Sequence, residues 1–118
     1  MRGLLLAVLA MVAAAPPARA HAFLERASPP VGGEVGGSPP ELSITFSEGV
    51  EPLFSTIELR DAGGAAIAAG KPHAAPDNDR RLVIELPKLP PGTYTVVWHA
   101  TSVDTHKTEG SYHFTVTH

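Results

Sequence analysis

Residues 93–117 read TYTVVWHATSVDTHKTEGSYHFTVT. Two strands are written into this stretch. In TYTVVWH, Tyr94, Val96 and Trp98 fall on one side with polar or smaller neighbours between them; in SYHFTVT, Tyr112, Phe114 and Val116 do the same. A period of two is the mark of a strand with one buried and one wet face. The segment between them, TSVDTHKTEG, has no apolar rhythm and holds an aspartate and a histidine two residues apart.

Working outward, RLVIEL (81–86) lines up Leu82, Ile84 and Leu86, STIELR (55–60) lines up Ile57 and Leu59, and ELSITFS (41–47) lines up Leu42, Ile44 and Phe46. HAFLERAS (21–28) offers a less regular edge strand. Ser38-Pro39-Pro40, Asp77-Asn78-Asp79 and the run from Pro87 to Gly92 are turn chemistry that interrupts strands. AGGAAIAAG (62–70) is hemmed by glycines and predicts a loop or short irregular excursion. Ten Pro and ten Gly beyond residue 20 leave few windows long enough for a helix. One-sided alternation favours antiparallel sheets. The pattern therefore predicts an all-β domain of about seven strands, built as a two-sheet sandwich, with a small closed barrel as the other all-β solution.

The first twenty residues do not fit that domain. Arg2 is followed by the apolar run LLLAVLAMVAAA (4–15), then Pro16-Pro17 and Ala18-Arg19-Ala20. Small residues at the third-last and last positions suit signal peptidase. The run falls short of the roughly 20 residues a membrane span requires. The expectation is a cleaved secretory signal over 1–20 and one exported mature domain over 21–118, with no membrane insertion after cleavage.

That domain would carry seven basic and twelve acidic residues, a formal net charge of −5. A negative protein is a poor partner for nucleic acid or anionic lipid. The chain has no Cys, which removes disulfides, thiolate metal sites and Cys nucleophiles. No glycine-rich phosphate loop, H-E-x-x-H or G-x-S-x-G elbow is present. The chain is accordingly read as a non-enzyme.

Six histidines remain after the expected cut. His21 would become the mature N-terminus. Its α-amine, with a reference pKa of about 7.7–8, and its imidazole, at about 6.5, both lose protons near neutrality. Together they can chelate one ion. Two fixed nitrogens suit the tetragonal N/O geometry of Cu(II), which also heads the divalent affinity order. Asp104 and His106, two apart in an extended segment, would project to the same side. They form either a ligand pair or a carboxylate that orients a ligating imidazole. Glu48, at the end of the Phe46 strand, could add an oxygen. His73, His99, His113 and His118 read as loop, surface or terminal residues.

The quoted stretches, with the start HAFLERASPPVGGEV and the strand ending ITFSEGV, resemble the CopC-type periplasmic copper-binding (copper resistance) proteins over essentially the whole mature chain. The most specific run has the form L-P-x-G-x-Y-x-V-x-W-x-x-x-S-x-D-x-H followed by a G-S-x-x-F strand. The resemblance implies a Greek-key β-sandwich of immunoglobulin or cupredoxin-like appearance. It implies one Cu(II) per chain, held by His21, Asp104 and His106 with Glu48 as a weaker or indirect contributor. It also implies a monomeric carrier or buffer for copper homeostasis or resistance, with a separate CopD-type membrane copper-transport protein as onward partner. Met1 and Met11 both lie before residue 21, so no Cu(I) thioether site is expected. Two other readings stand beside it: a metal-free immunoglobulin-like interaction module, and an oxidase of the N-terminal-histidine copper type.

Overall fold

A computed structural model of the chain describes residues 22–118. The expected signal over 1–20, and His21 with it, lie outside the described residues. The rest is a sandwich of two sheets. One has the order β1 (Leu24–Ser28), β3 (Glu41–Phe46), β7 (Asn78–Glu85), β6 (His73–Ala75). The other has the order β2 (Glu34–Gly36), β9 (Lys107–Thr117), β8 (Gly92–Thr101), β4 (Thr56–Arg60), β5 (Ala66–Ile67). All pairings are antiparallel except β2 with β9. The chain crosses between sheets five times, at β1–β2, β2–β3, β3–β4, β5–β6 and β7–β8.

The alternating residues do close the core. Leu42, Ile44, Phe46, Leu82 and Ile84 face inward from the first sheet. Ile57, Leu59, Tyr94, Val96, Trp98, Tyr112, Phe114 and Val116 meet them from the second. Phe46 and Trp98 join the two sheets in an edge-to-face contact, with centroids 5.2 Å apart and planes at 71°. Such aromatic pairs add about 0.5–1.5 kcal/mol beyond area burial. Leu86, expected on the inner face, only packs partly buried against the cluster.

Nine strands form among the described residues rather than about seven. The additions are short edge strands: β2, β5 and β6 hold two or three residues each and carry too little alternation to be seen. Asp77-Asn78-Asp79 is not a turn throughout. The chain reverses at Pro76-Asp77, Ala75 pairs with Asn78, and Asn78 and Asp79 open β7. His73 consequently sits in a strand and not in a loop.

β8 and β9 form the longest hairpin, paired from Gly92↔Val116 to Thr101↔Lys107. Gly110 lies opposite Trp98 in it. A Cβ there would stand 2.6 Å from the indole ring, so only glycine lets the ring lie against the strand. The hairpin turn, at the Phe46–Trp98 end of the sandwich, carries the polar residues of TSVDTHKTEG.

Candidate metal centre

Three stretches distant in sequence meet at this end. The first is Ala22–Phe23, where the described chain begins. Ala22 is fully buried, and its carbonyl accepts a 2.5 Å hydrogen bond from the Thr108 hydroxyl. The Phe23 N–H donates to Ser47 Oγ at 2.9 Å, and the Ser47 N–H donates to the Phe23 carbonyl at 2.8 Å. The start of the domain is thus tied to the end of β3 on one side and to β9 on the other.

The second stretch is Ser47–Val50. Val50 bridges to Ser102, and the Gly49 carbonyl accepts a 3.0 Å bond from the Val103 N–H. A Cβ on Gly49 would lie 3.2 Å from Val103 and 3.1 Å from the Asp79 carboxylate, so this approach is tight. Glu48 is half-buried between Ser47 and Gly49.

The third stretch is the turn, Ser102–His106. The Thr105 N–H donates to the Ser102 carbonyl at 2.8 Å, and the Ser102 N–H donates to the His106 carbonyl at 2.9 Å. Thr105 takes φ +72°, a left-handed conformation unusual for a β-branched residue. Three-residue hairpin loops often place a left-handed residue at this point. The extended segment expected for 104–106 therefore does not form; the two side chains are brought together by a tight reversal instead. Asp104 Oδ1 and His106 Nδ1 stand 3.2 Å apart, both about half exposed.

Ser102 organises the pair from beneath. It is fully buried, and its hydroxyl donates to Asp104 Oδ1. The His106 N–H points at the same two groups, 3.2 Å from Ser102 Oγ and 3.4 Å from Asp104 Oδ1. The Ser102 hydroxyl, and after it His106, hold the Asp104 carboxyl below the usual carboxylate range against the opposing pull of desolvation. The aspartate is an anion at neutral pH, ready to accept a cation.

The donor chemistry fits a borderline divalent ion. Bonds of about 2.0–2.2 Å to nitrogen and oxygen on adjacent positions set the two donors about 2.8–3.5 Å apart, the range in which Asp104 and His106 lie. Of the four residues singled out in the sequence, the structure brings these two into contact. Glu48 lies on the neighbouring segment, and His21 lies outside the described residues. Among the described residues no three His, Cys, Asp or Glu side chains gather as a metal cage.

Ser102, Ser47 and Thr108 escape sequence reasoning because hydroxyl residues are ordinary in turns and strands. Only their hydrogen bonds across 24 and 86 residues mark Ser47 and Thr108 as positioning groups. A further pair also emerges, His99 with Glu109, at 3.0 Å on the outer face of the second sheet.

The CopC domain matches residues 24–117. The chain is 37% identical over 112 residues to Protein YobA of Escherichia coli K12, covering 94% of this chain and 90% of that protein. It is 34% identical over 106 residues to Copper resistance protein C of Escherichia coli, covering 84% and 83%. The crystal structure of CopC from Methylosinus trichosporium OB3b superposes with a TM-score of 0.77 at 36% identity, covering 81% of this chain and 93% of that one.

Proposed function

The chain belongs to the CopC family, and from that premise we propose that it is an exported, non-enzymatic Cu(II) carrier whose N-terminal histidine and Asp104–His106 turn share one ion. The observation that supports this most directly is the tether on Ala22. Its carbonyl is held by Thr108, two residues beyond His106. Residue 21 is one peptide link from Ala22 in the sequence. If cleavage follows Ala20, the α-amine and imidazole of His21 start from the edge that carries Asp104 and His106.

In this reading the amine, two imidazoles and one carboxylate make an N/O set without sulfur, as Cu(II) prefers. The domain has no methionine, so soft thioether capture of Cu(I) is not part of its chemistry. Ser102 fixes the carboxylate, Thr108 and Ser47 fix the strand behind His21, and Glu48 stands close enough in sequence to Gly49 to add an outer oxygen. The ion is cargo. The protein serves as a monomeric periplasmic buffer and passes copper to a separate membrane transport protein of the CopD type.

The test is Cu(II) electron paramagnetic resonance on the protein beginning at His21, beside the same protein with one extra residue ahead of it. A single tetragonal, nitrogen-rich spectrum at one copper per chain, abolished by the extension, is expected. Identical spectra from the two forms would overturn the chelate, and no binding by either would leave a metal-free module.

A further inference from the structure

The outer face of the second sheet carries a row of polar residues that the copper turn does not use. Thr56 on β4, His99 on β8 and Glu109 on β9 are register partners across three strands. His99 Nε2 stands 3.0 Å from Glu109 Oε1, and His99 Nδ1 stands 3.4 Å from Thr56 Oγ1. Both side chains of the pair are more than half exposed. They wall a hollow of about 550 Å³ that reaches Phe23, Phe54 and Thr108, at the tethered start of the domain.

An imidazole nitrogen and a carboxylate oxygen at 3.0 Å are joined either by a hydrogen on the ring nitrogen or by a metal ion that both ligate. With the ring proton on Nδ1, directed at Thr56, the Nε2 lone pair faces the carboxylate. A divalent ion with bonds of about 2.0–2.2 Å then fits both donors at adjacent positions, since such donors lie about 2.8–3.5 Å apart. Ligating histidines are commonly oriented by a partner on the second ring nitrogen, the place Thr56 takes here.

The geometry points to a second, weaker metal site at His99 and Glu109, selective for Cu(II) among borderline divalent cations, with water completing the coordination. This goes beyond the single ion proposed for the turn and does not depend on His21. Two side-chain donors in open solvent make it the weaker site. Lys107, two residues along β9 on the same face, adds repulsion. Along either strand three residues separate this pair from the turn, about 10 Å at strand spacing. Two Cu(II) ions held at that distance broaden each other's spectra.

The exported protein beginning at His21 is titrated with Cu(II) alone to two equivalents, followed by equilibrium dialysis and paramagnetic resonance. A second equivalent is expected to bind at least about tenfold more weakly than the first, a gap of about 1.4 kcal/mol. It should show fewer nitrogens and broaden the first signal. His99→Gln and Glu109→Gln should each abolish it while leaving the first equivalent and the melting temperature unchanged. Asp104→Asn with His106→Gln should do the reverse, so failure of the turn site would not be mistaken for failure of this one. Saturation at one copper, or a second equivalent that survives His99→Gln, overturns the proposal.

Discussion

Replacing Thr108 by valine removes one hydroxyl and little else. The side chain keeps its branching and size, so the strand packing around it is preserved. What goes is the 2.5 Å bond to the Ala22 carbonyl. Ala22 is fully buried, so water does not readily replace the lost donor. An orphaned buried acceptor costs about 1–3 kcal/mol. For a domain near 100 residues each kcal/mol moves the melting point by roughly 4–8 °C. Thr108→Val should therefore lower it by about 5–20 °C without metal, read by calorimetry. Copper should feel the same loss. Residue 21 would no longer start from a fixed edge, and restoring that order on binding uses up to the net worth of the bond, about 0.5–1.5 kcal/mol. Affinity measured by competition with a chromophoric chelator should fall by about two- to tenfold. Thr108→Ser, which retains the hydroxyl, should recover most of the affinity. A Thr108→Val protein that melts lower yet binds copper as the parent does would refute the idea that this bond positions a ligand. An unchanged melting point would refute the energetic reasoning itself.

Gly110→Ala forces a methyl to within 2.6 Å of the Trp98 ring, and overpacking of this kind costs about 1–3 kcal/mol; denaturant unfolding followed by Trp98 fluorescence should show a lower midpoint and a shifted native spectrum. Asp104 has its carboxyl held below the ordinary range by Ser102 and then His106, so its contribution to stability is complete above the unfolded value and is lost as pH falls through the lower folded value. In copper-free melts the difference between the parent and Asp104→Asn should accordingly shrink in acid, below pH 4, and a constant difference down to pH 2 would contradict the hydrogen-bond assignment.

The β-sandwich was legible because its information is local and redundant. Leu42, Ile44 and Phe46, or Tyr94, Val96 and Trp98, state their face without reference to any other strand. The edge strands were not legible because Ala66–Ile67 and His73–Ala75 are too short to show a period and owe their form to the strands they pair with. The spacing of Asp104 and His106 marked them as neighbours and the family resemblance implied their role as ligands, but the manner of their meeting could not be read. Thr105 in a left-handed conformation is a choice the surrounding hairpin imposes against the residue's own preference. The His99–Glu109 pair was within reach in principle. The two residues are equidistant from Asp104 and both lie outward, so a hairpin centred on that aspartate sets them opposite each other. Without the turn, no register could be assigned.

The bond from Thr108 to Ala22 spans 86 residues and has a consequence for timing. On the proposed function, a chain exported N-terminus first would deliver the start of the domain first and the β9 strand last. Contacts of such long sequence separation pay their loop-closure entropy late and form slowly. Until β9 docks, the Thr108 hydroxyl cannot hold Ala22 and the Asp104–His106 turn has not closed. On the proposed function, copper capture by the assembled site would wait for β9, and a chain truncated before β9 would lack it.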